Sequence, residues 1–145
     1  LDKQAMIDKS AELFAELKEI GFLAVTYMPP RNTAAQLARM RELCREYGFM
    51  EISGVDINQP RQSFNCPELR RPEFAHLNAA TWAMVAHEAL SAANPDLGLF
   101  AKANPYAALG LEERIALYAK AGADLGRAGI DPLAAAGKLL KGRYE

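Results

Sequence analysis

Residues 22–53 read FLAVTYMPPRNTAAQLARMRELCREYGFMEIS, and this stretch decides the fold class. Two short apolar runs, FLAVTYM from Phe22 to Met28 and FMEIS from Phe49 to Ser53, are rich in aromatic and β-branched residues, which is typical of buried strands. Between them, PPRNT breaks the first run, and apolar residues then recur at helical spacing as far as Gly48. A strand, a helix and a strand in this order predict a right-handed βαβ unit with parallel strands.

Further helices are predicted on both sides of this βαβ unit. The central helix begins with a T-x-x-Q capping box at Thr33 and Gln36, and a preceding helix from Gln4 to Ile20 ends before a glycine. Residues 54–78 lack strong periodicity, and long irregular segments of this kind tend to be functional or mobile. Three later helices are predicted from AATWAMVAHEALSAA (79–93), from LEERIALYAKAGADL (111–125) and from an Asp131-Pro132 start.

Composition narrows the class of protein. The 145 residues suit one domain, and a net charge of −1 gives no general attraction to nucleic acid or to anionic membranes. No apolar run approaches the ~20 residues of a membrane helix, and the start of the chain has no signal-peptide core. Cys44 and Cys66 do not make a disulfide framework, so a cytoplasmic location is expected. The chain begins with Leu1, which suggests a piece of a longer protein.

Polar side chains follow both predicted strands. Arg31 and Asn32 follow the first strand, immediately before a helix N-terminus, where a guanidinium beside helix amides favours an anion. In parallel α/β folds, ligands bind beyond the carboxyl ends of the strands, so the residues after both strands are expected at one rim. The residues after the second strand are Asp56, Asn58, Arg61, Gln62 and Ser63.

Ordinary structural roles account for the same residues and remain open as alternatives. Arg31 can pair with a surface acid, and Asn32 and Thr33 suit helix capping. Asp56 suits a turn, because aspartate is common in turns, and Arg61 suits a solvated loop.

A family resemblance adds a specific expectation. The run TYMPPRNTAAQLARMRELCREYGFMEISGVDINQPRQSFNCPEL (26–69), followed by EFAHLNAATWAMVAHE (73–88), resembles the C-terminal part of bacterial proteins of the PHP (polymerase and histidinol phosphatase) family. Those proteins fold as a distorted (β/α)7 barrel and hydrolyse phosphate esters with up to three divalent metals. The resemblance implies an α/β chain in which residues 1–93 are the C-terminal βα units of a PHP-type barrel with parallel strands, and residues 94–145 are a helical tail.

The resemblance also implies a metal site. Many PHP proteins end a late barrel strand with G-x-D-x-H, and the corresponding segment here is GVDIN, from Gly54 to Asn58. Asp56 matches the metal-binding acid, whereas Asn58 stands where the histidine would be. An amide oxygen binds hard cations but is a poorer zinc ligand than imidazole. The two histidines, His76 and His87, match no local metal motif, so the chain alone is expected to be inactive or weak.

The expected function is the C-terminal segment of a PHP-type metal-dependent phosphoesterase that acts on a phosphorylated small molecule. A divalent metal (Mn, Zn or Fe) would bind at Asp56 and Asn58 in the complete domain and activate water. The expected partner is the rest of the barrel or a second subunit, with no nucleic acid and no membrane. The alternative is a non-catalytic α/β module that binds an anionic ligand or a partner chain. The expected phosphate-binding residues are Arg31, Asn32, Thr33 and Arg61.

Overall fold

The computed structural model describes residues 3–127 and 131–142. The chain divides after Arg71 into two compact units, called here the strand unit (up to Arg71) and the helical unit (from Pro72). None of the helices in the described residues has the length and apolar character needed to cross a bilayer. The helices and strands are α1 (Lys3–Ile20), β1 (Ala24–Tyr27), α2 (Ala34–Tyr47), β2 (Met50–Ser53), α3 (Ala75–Ala93), α4 (Leu111–Arg127) and α5 (Pro132–Leu140).

The strand unit contains the predicted βαβ arrangement. β1 and β2 pair in parallel, with Ala24 opposite Met50 and Tyr27 opposite Ser53. The connection between parallel strands must cross from one end of the sheet to the other, and α2 provides that crossover. The prediction of a parallel βαβ unit in residues 22–53 is confirmed.

Both ends of α2 are fixed by the residues that the sequence marked. The Thr33 hydroxyl oxygen accepts from the Gln36 amide at 3.3 Å, and the Gln36 side-chain oxygen accepts from the Thr33 amide at 2.8 Å. At the other end, Gly48 adopts φ 67°, a left-handed conformation that a residue without Cβ adopts at little cost. The Gly48 N–H donates to the carbonyls of Arg45 and Cys44, which satisfies the last turn.

The core of the strand unit lies between α1, α2 and the start of β2. The Phe14 ring meets the Phe49 ring edge-on, with centroids 5.5 Å apart, and Cys44 is 1% exposed. Cys44 therefore packs in this core as a small hydrophobic residue. The buried members of the cluster are Phe14, Leu43, Cys44 and Phe49.

The two cysteines are expected to differ in reactivity toward a thiol reagent. Burial raises the pKa of the Cys44 thiol to about 12, so almost no thiolate forms at pH 8, and the sulfur is also inaccessible. Cys66 is only partly buried. We expect the native chain to release one equivalent of product from Ellman's reagent quickly and the second only on unfolding. The Cys66→Ser variant should lose the fast phase, and a fast phase that survives in it would contradict this assignment.

The prediction of a distorted (β/α)7 barrel is wrong. Helices make up most of the described residues, and β1 and β2 are the only strands found there. After Ser53 the chain passes through an irregular segment and enters α3, which packs on α4 and α5. Alanine-rich segments at helical spacing favour helix pairing over a further strand, which explains the difference. The predicted division into residues 1–93 and 94–145 falls after α3, which belongs to the helical unit.

In the helical unit, α3 and α4 approach closely enough to touch backbones. Gly122 of α4 lies against the Trp82 carbonyl of α3, and a Cβ built on Gly122 would overlap that backbone oxygen. A Cβ on Gly126, one turn later, would overlap the Trp82 ring. Glycine at both positions therefore permits the close approach of the two helices.

A buried polar network holds the segment between α3 and α4. Asn104 is 4% exposed, and its side-chain nitrogen donates to Gly98 O at 2.7 Å and to the Tyr118 hydroxyl at 2.6 Å. The Tyr118 hydroxyl in turn donates to Leu97 O at 2.7 Å. Burial raises the pKa of the Tyr118 phenol, which keeps its proton available for donation. These side-chain bonds add to the backbone turns of the segment, which satisfy several of its carbonyls.

His87 has a structural role at the same segment. The amide of buried Leu99 donates to His87 Nδ1 at 2.9 Å, and the His87 ring meets Phe100 edge-on with centroids 6.2 Å apart. Since Nδ1 accepts a hydrogen bond, it carries no proton, and the ring proton sits on Nε2. His87 therefore anchors the turn that follows α3.

Candidate functional site

The rim at the carboxyl ends of β1 and β2 is the candidate site. Arg31 follows β1, and its Nη2 atom donates to the backbone oxygen of Asp56, beyond β2, at 3.1 Å. Its Nη1 atom lies 3.9 Å from Asp56 Oδ2. The structure thus brings together the groups that follow the two strands.

Both charges of this pair remain in contact with water. The side chains of Arg31 and Asp56 are 44% and 58% exposed. An exposed pair at this distance contributes little to stability, because water screens both charges. The pairing therefore positions the guanidinium and the carboxylate at the rim, and both remain accessible to a ligand.

Gln62 organises the loop that carries Asp56. Its side-chain oxygen accepts from the amides of Asn58 and Gln59 at 2.7 and 2.8 Å, and its nitrogen lies 3.4 Å from Asp56 O, to which it donates. The sequence placed Gln62 at the rim but gave it no role. A long amide side chain shortly after a turn that contains Pro60 is the signal that could have identified it.

Arg61 adds a second guanidinium to the loop. Its side chain is exposed, and its Nε atom donates to Gln59 Oε1 at 3.0 Å. This bond leaves the outer face of a guanidinium with further donors available, because the group carries five N–H bonds. The rim therefore carries two exposed arginines, Arg31 and Arg61, with Asp56 as the acid.

Asn32 and Thr33 take part in local structure. The Asn32 side chain donates to Met28 O at 2.8 Å and closes the turn after β1. The Thr33 amide and hydroxyl both engage Gln36 in the capping box of α2. A phosphate at either residue would compete with these bonds, so the arginines are the better-placed anion-binding groups.

The surroundings of Asp56 bear on the predicted metal site. Arg31 Nη1 lies 3.9 Å from Asp56 Oδ2. The side-chain nitrogen of Asn58 donates to the same carboxylate oxygen at 3.5 Å. A cation at this carboxylate would have to displace the guanidinium. Among residues 3–127 and 131–142, no three His, Cys, Asp or Glu side chains converge as metal ligands. Metal binding at Asp56 and Asn58 stays a prediction.

A second polar contact, which the sequence did not predict, lies within the same sheet. The buried Tyr27 hydroxyl donates to Glu51 Oε2 at 2.7 Å, and Arg41 of α2 lies 3.9 Å from the same oxygen. Burial, with the hydrogen bond to Glu51, raises the pKa of Tyr27, so its proton stays in place. An acid inside an otherwise apolar strand was the available signal. This contact joins the last residue of β1 to the second residue of β2.

Comparison of the chain with protein-family models, with curated proteins and with solved structures found no match in any of the three. The resemblance to PHP proteins therefore stays a prediction.

Proposed function

We propose that the strand unit is a binding module that takes a phosphate-bearing small molecule at the rim beyond β1 and β2. The observation that supports this proposal is the contact between Arg31 and Asp56, which sets Arg31 beside the loop that carries Arg61. Two guanidiniums on one rim suit a phosphate, because their N–H groups match its oxygens in charge and geometry. The proposal includes a cytoplasmic location, which suits a chain whose two cysteines are unpaired.

The Asp56 carboxylate competes with a bound phosphate for the Arg31 guanidinium. This carboxylate lies 3.9 Å from Arg31 Nη1, well beyond the ~2.7–2.9 Å of a strong charge-assisted hydrogen bond. A phosphate can make shorter bonds to the same nitrogen. The separate bond from Arg31 Nη2 to the Asp56 backbone oxygen keeps the guanidinium at the rim during this exchange.

Metal-dependent phosphoester hydrolysis is the second candidate. The exposed Asp56 carboxylate at a strand end favours it. A divalent cation bound there would separate Asp56 from Arg31 and leave the guanidinium for the phosphate. Further ligands would have to come from a partner chain or a second subunit, since the described residues hold no group of three.

Phosphate binding is tested by titrating the ¹⁵N-labelled chain with inorganic phosphate and with pyrophosphate. We expect the backbone amides of residues 56–59, 61 and 62 to shift. Arg31→Gln should weaken binding about tenfold, which is the loss of one charge-assisted bond, and Arg61→Gln should weaken it less. Arg45→Gln is the matched control, because it makes the same charge change at the opposite end of α2. Equal weakening by Arg45→Gln would mean that the effect is one of net charge alone.

The Asp56→Asn variant separates the two candidates. In a binding module it should strengthen phosphate binding without metal, because the competing carboxylate is lost. In a metal-dependent hydrolase it should abolish any strengthening of phosphate binding by added Mn²⁺. Unchanged phosphate affinity in Asp56→Asn and in Arg31→Gln would contradict both.

A further inference from the structure

β1 has an unpaired edge. The Met50 amide donates to Leu23 O and the Gly54 amide donates to Tyr27 O, so the alternate residues of β1 face β2. The backbone groups of Ala24 and Thr26 therefore point away from β2. Among the described residues β2 is the only strand that pairs with β1. Parallel sheets of two strands are uncommon, because such sheets are normally larger and covered.

Exposed apolar side chains directly precede β1 but not β2. Phe22 and Leu23, directly before β1, are each about half exposed, and Ile20 at the end of α1 is 72% exposed. The residues at the start of β2, Phe49 and Met50, are buried. Large apolar groups beside an open edge are typical of a surface that a further chain covers. Exposure and apolar area therefore favour the β1 edge over the β2 edge for docking.

The β1 edge also lacks the usual protection against pairing. No charged residue occurs from Ile20 to Pro30. Edge strands normally carry lysine or another charge that repels a second strand. An uncharged edge can meet an identical edge without placing like charges opposite one another.

We propose that β1 pairs with β1 of a second copy of this chain, antiparallel across a two-fold axis. An axis beside Val25 sets Ala24 of one copy opposite Thr26 of the other, so the outward-facing backbone groups of both residues meet. The same axis brings the exposed Phe22 and Leu23 of each copy to the new interface. Such an interface is isologous, since the same surface serves both copies.

The exposed apolar area sets the strength of this contact. Ile20, Phe22 and Leu23 are each about half exposed or more. Together they offer on the order of 300–400 Å² per copy, about half of the ~800 Å² of a standard interface. Weak, transient complexes lie at this low end of interface size, so we expect the dimer to form only at high protein concentration.

Sedimentation of the full chain from a few micromolar to about one millimolar tests the proposal. We expect the mass to rise from that of one copy to that of two across this range. Phe22→Lys and Thr26→Pro should each keep the chain monomeric, the first by adding like charges and the second by removing an outward N–H. Far-UV circular dichroism confirms that each variant is folded. Phe64→Lys is the matched control, because Phe64 is 80% exposed in the same unit but belongs to the irregular segment after β2.

Two results would overturn self-pairing at β1. If the chain stays monomeric at one millimolar, β1 does not pair with β1 of a second copy, and only a different polypeptide could pair with this edge. A dimer that persists in folded Phe22→Lys and Thr26→Pro, or one that Phe64→Lys removes equally, places the interface elsewhere.

Discussion

Replacing Gly122 with alanine is expected to unfold the helical unit. The added methyl group would overlap the Trp82 carbonyl oxygen and would lie 2.7 Å from the carbonyl carbon and 3.3 Å from the Ala86 amide nitrogen. A backbone oxygen inside a helix cannot turn aside as a side chain can, so α3 and α4 would have to separate. We expect a loss of more than ~3 kcal/mol in the free energy of unfolding, a large share of the ~5–15 kcal/mol of a typical domain. Urea unfolding followed by circular dichroism measures this loss.

Gly137 provides the matched control. It lies inside α5, and no atom lies within 4 Å of the Cβ that alanine would add. Gly137→Ala should therefore stabilise the chain by ~0.5–1 kcal/mol through helix propensity alone. A Gly122→Ala chain with the unfolding midpoint of the unmodified protein would show that α3 and α4 do not pack at this distance.

Replacing Asn104 with aspartate is the second large expected effect. The two side chains have the same shape, but a carboxylate cannot donate to Gly98 O or to the Tyr118 hydroxyl. It would also place a charge at a position that is 4% exposed. We expect a loss of about 3–5 kcal/mol at pH 7, typical of an uncompensated buried charge.

The sign of the pH dependence follows from burial. Desolvation raises the pKa of a buried carboxyl, so acidification protonates Asp at this position and restores one donor. The stability difference between Asn104→Asp and the unmodified chain should therefore be smaller at pH 4 than at pH 7.

Asn94→Asp is the control, because Asn94 is exposed and its side-chain oxygen only accepts, from the Asp96 amide at 3.0 Å. It should change stability by less than ~0.5 kcal/mol. An Asn104→Asp effect as small as this control would show that the network contributes nothing.

Local signals in the sequence predicted local structure well. As expected, α2 begins at the capping box of Thr33 and Gln36 and ends at the C-cap Gly48. The two partners of each of these hydrogen bonds lie within four residues of one another. Asp131 caps α5 by accepting from the amides of Leu133 and Ala134. These features are decided by neighbouring residues, and a single sequence contains the neighbours.

Features that depend on distant contacts were not predictable in the same way. Gly122 appears in the sequence as a weak point of a helix, and only its contact with Trp82 explains it. Asn104 lies between two predicted helices, and no local pattern marks it as the centre of the polar network. The barrel was predicted from a family resemblance. The number of strands in a sheet depends on contacts between distant segments, so no local sequence pattern predicts it. Parallel strand order did predict that Arg31 and Asp56 share one rim.

The parallel pairing of β1 with β2 has a consequence for the order in which the strand unit folds. The strands of a hairpin can pair progressively from the turn that connects them. In this unit Ala24 can pair with Met50 only when the connection that contains α2 has returned the chain to the start of β1. Sheet formation must therefore wait for a loop closure that spans the helix, and each such closure has an entropic cost. We therefore expect the folding nucleus of this unit to contain α2 together with both strands, and we expect the capping box that starts α2 to affect the rate of folding as well as the stability of the folded unit.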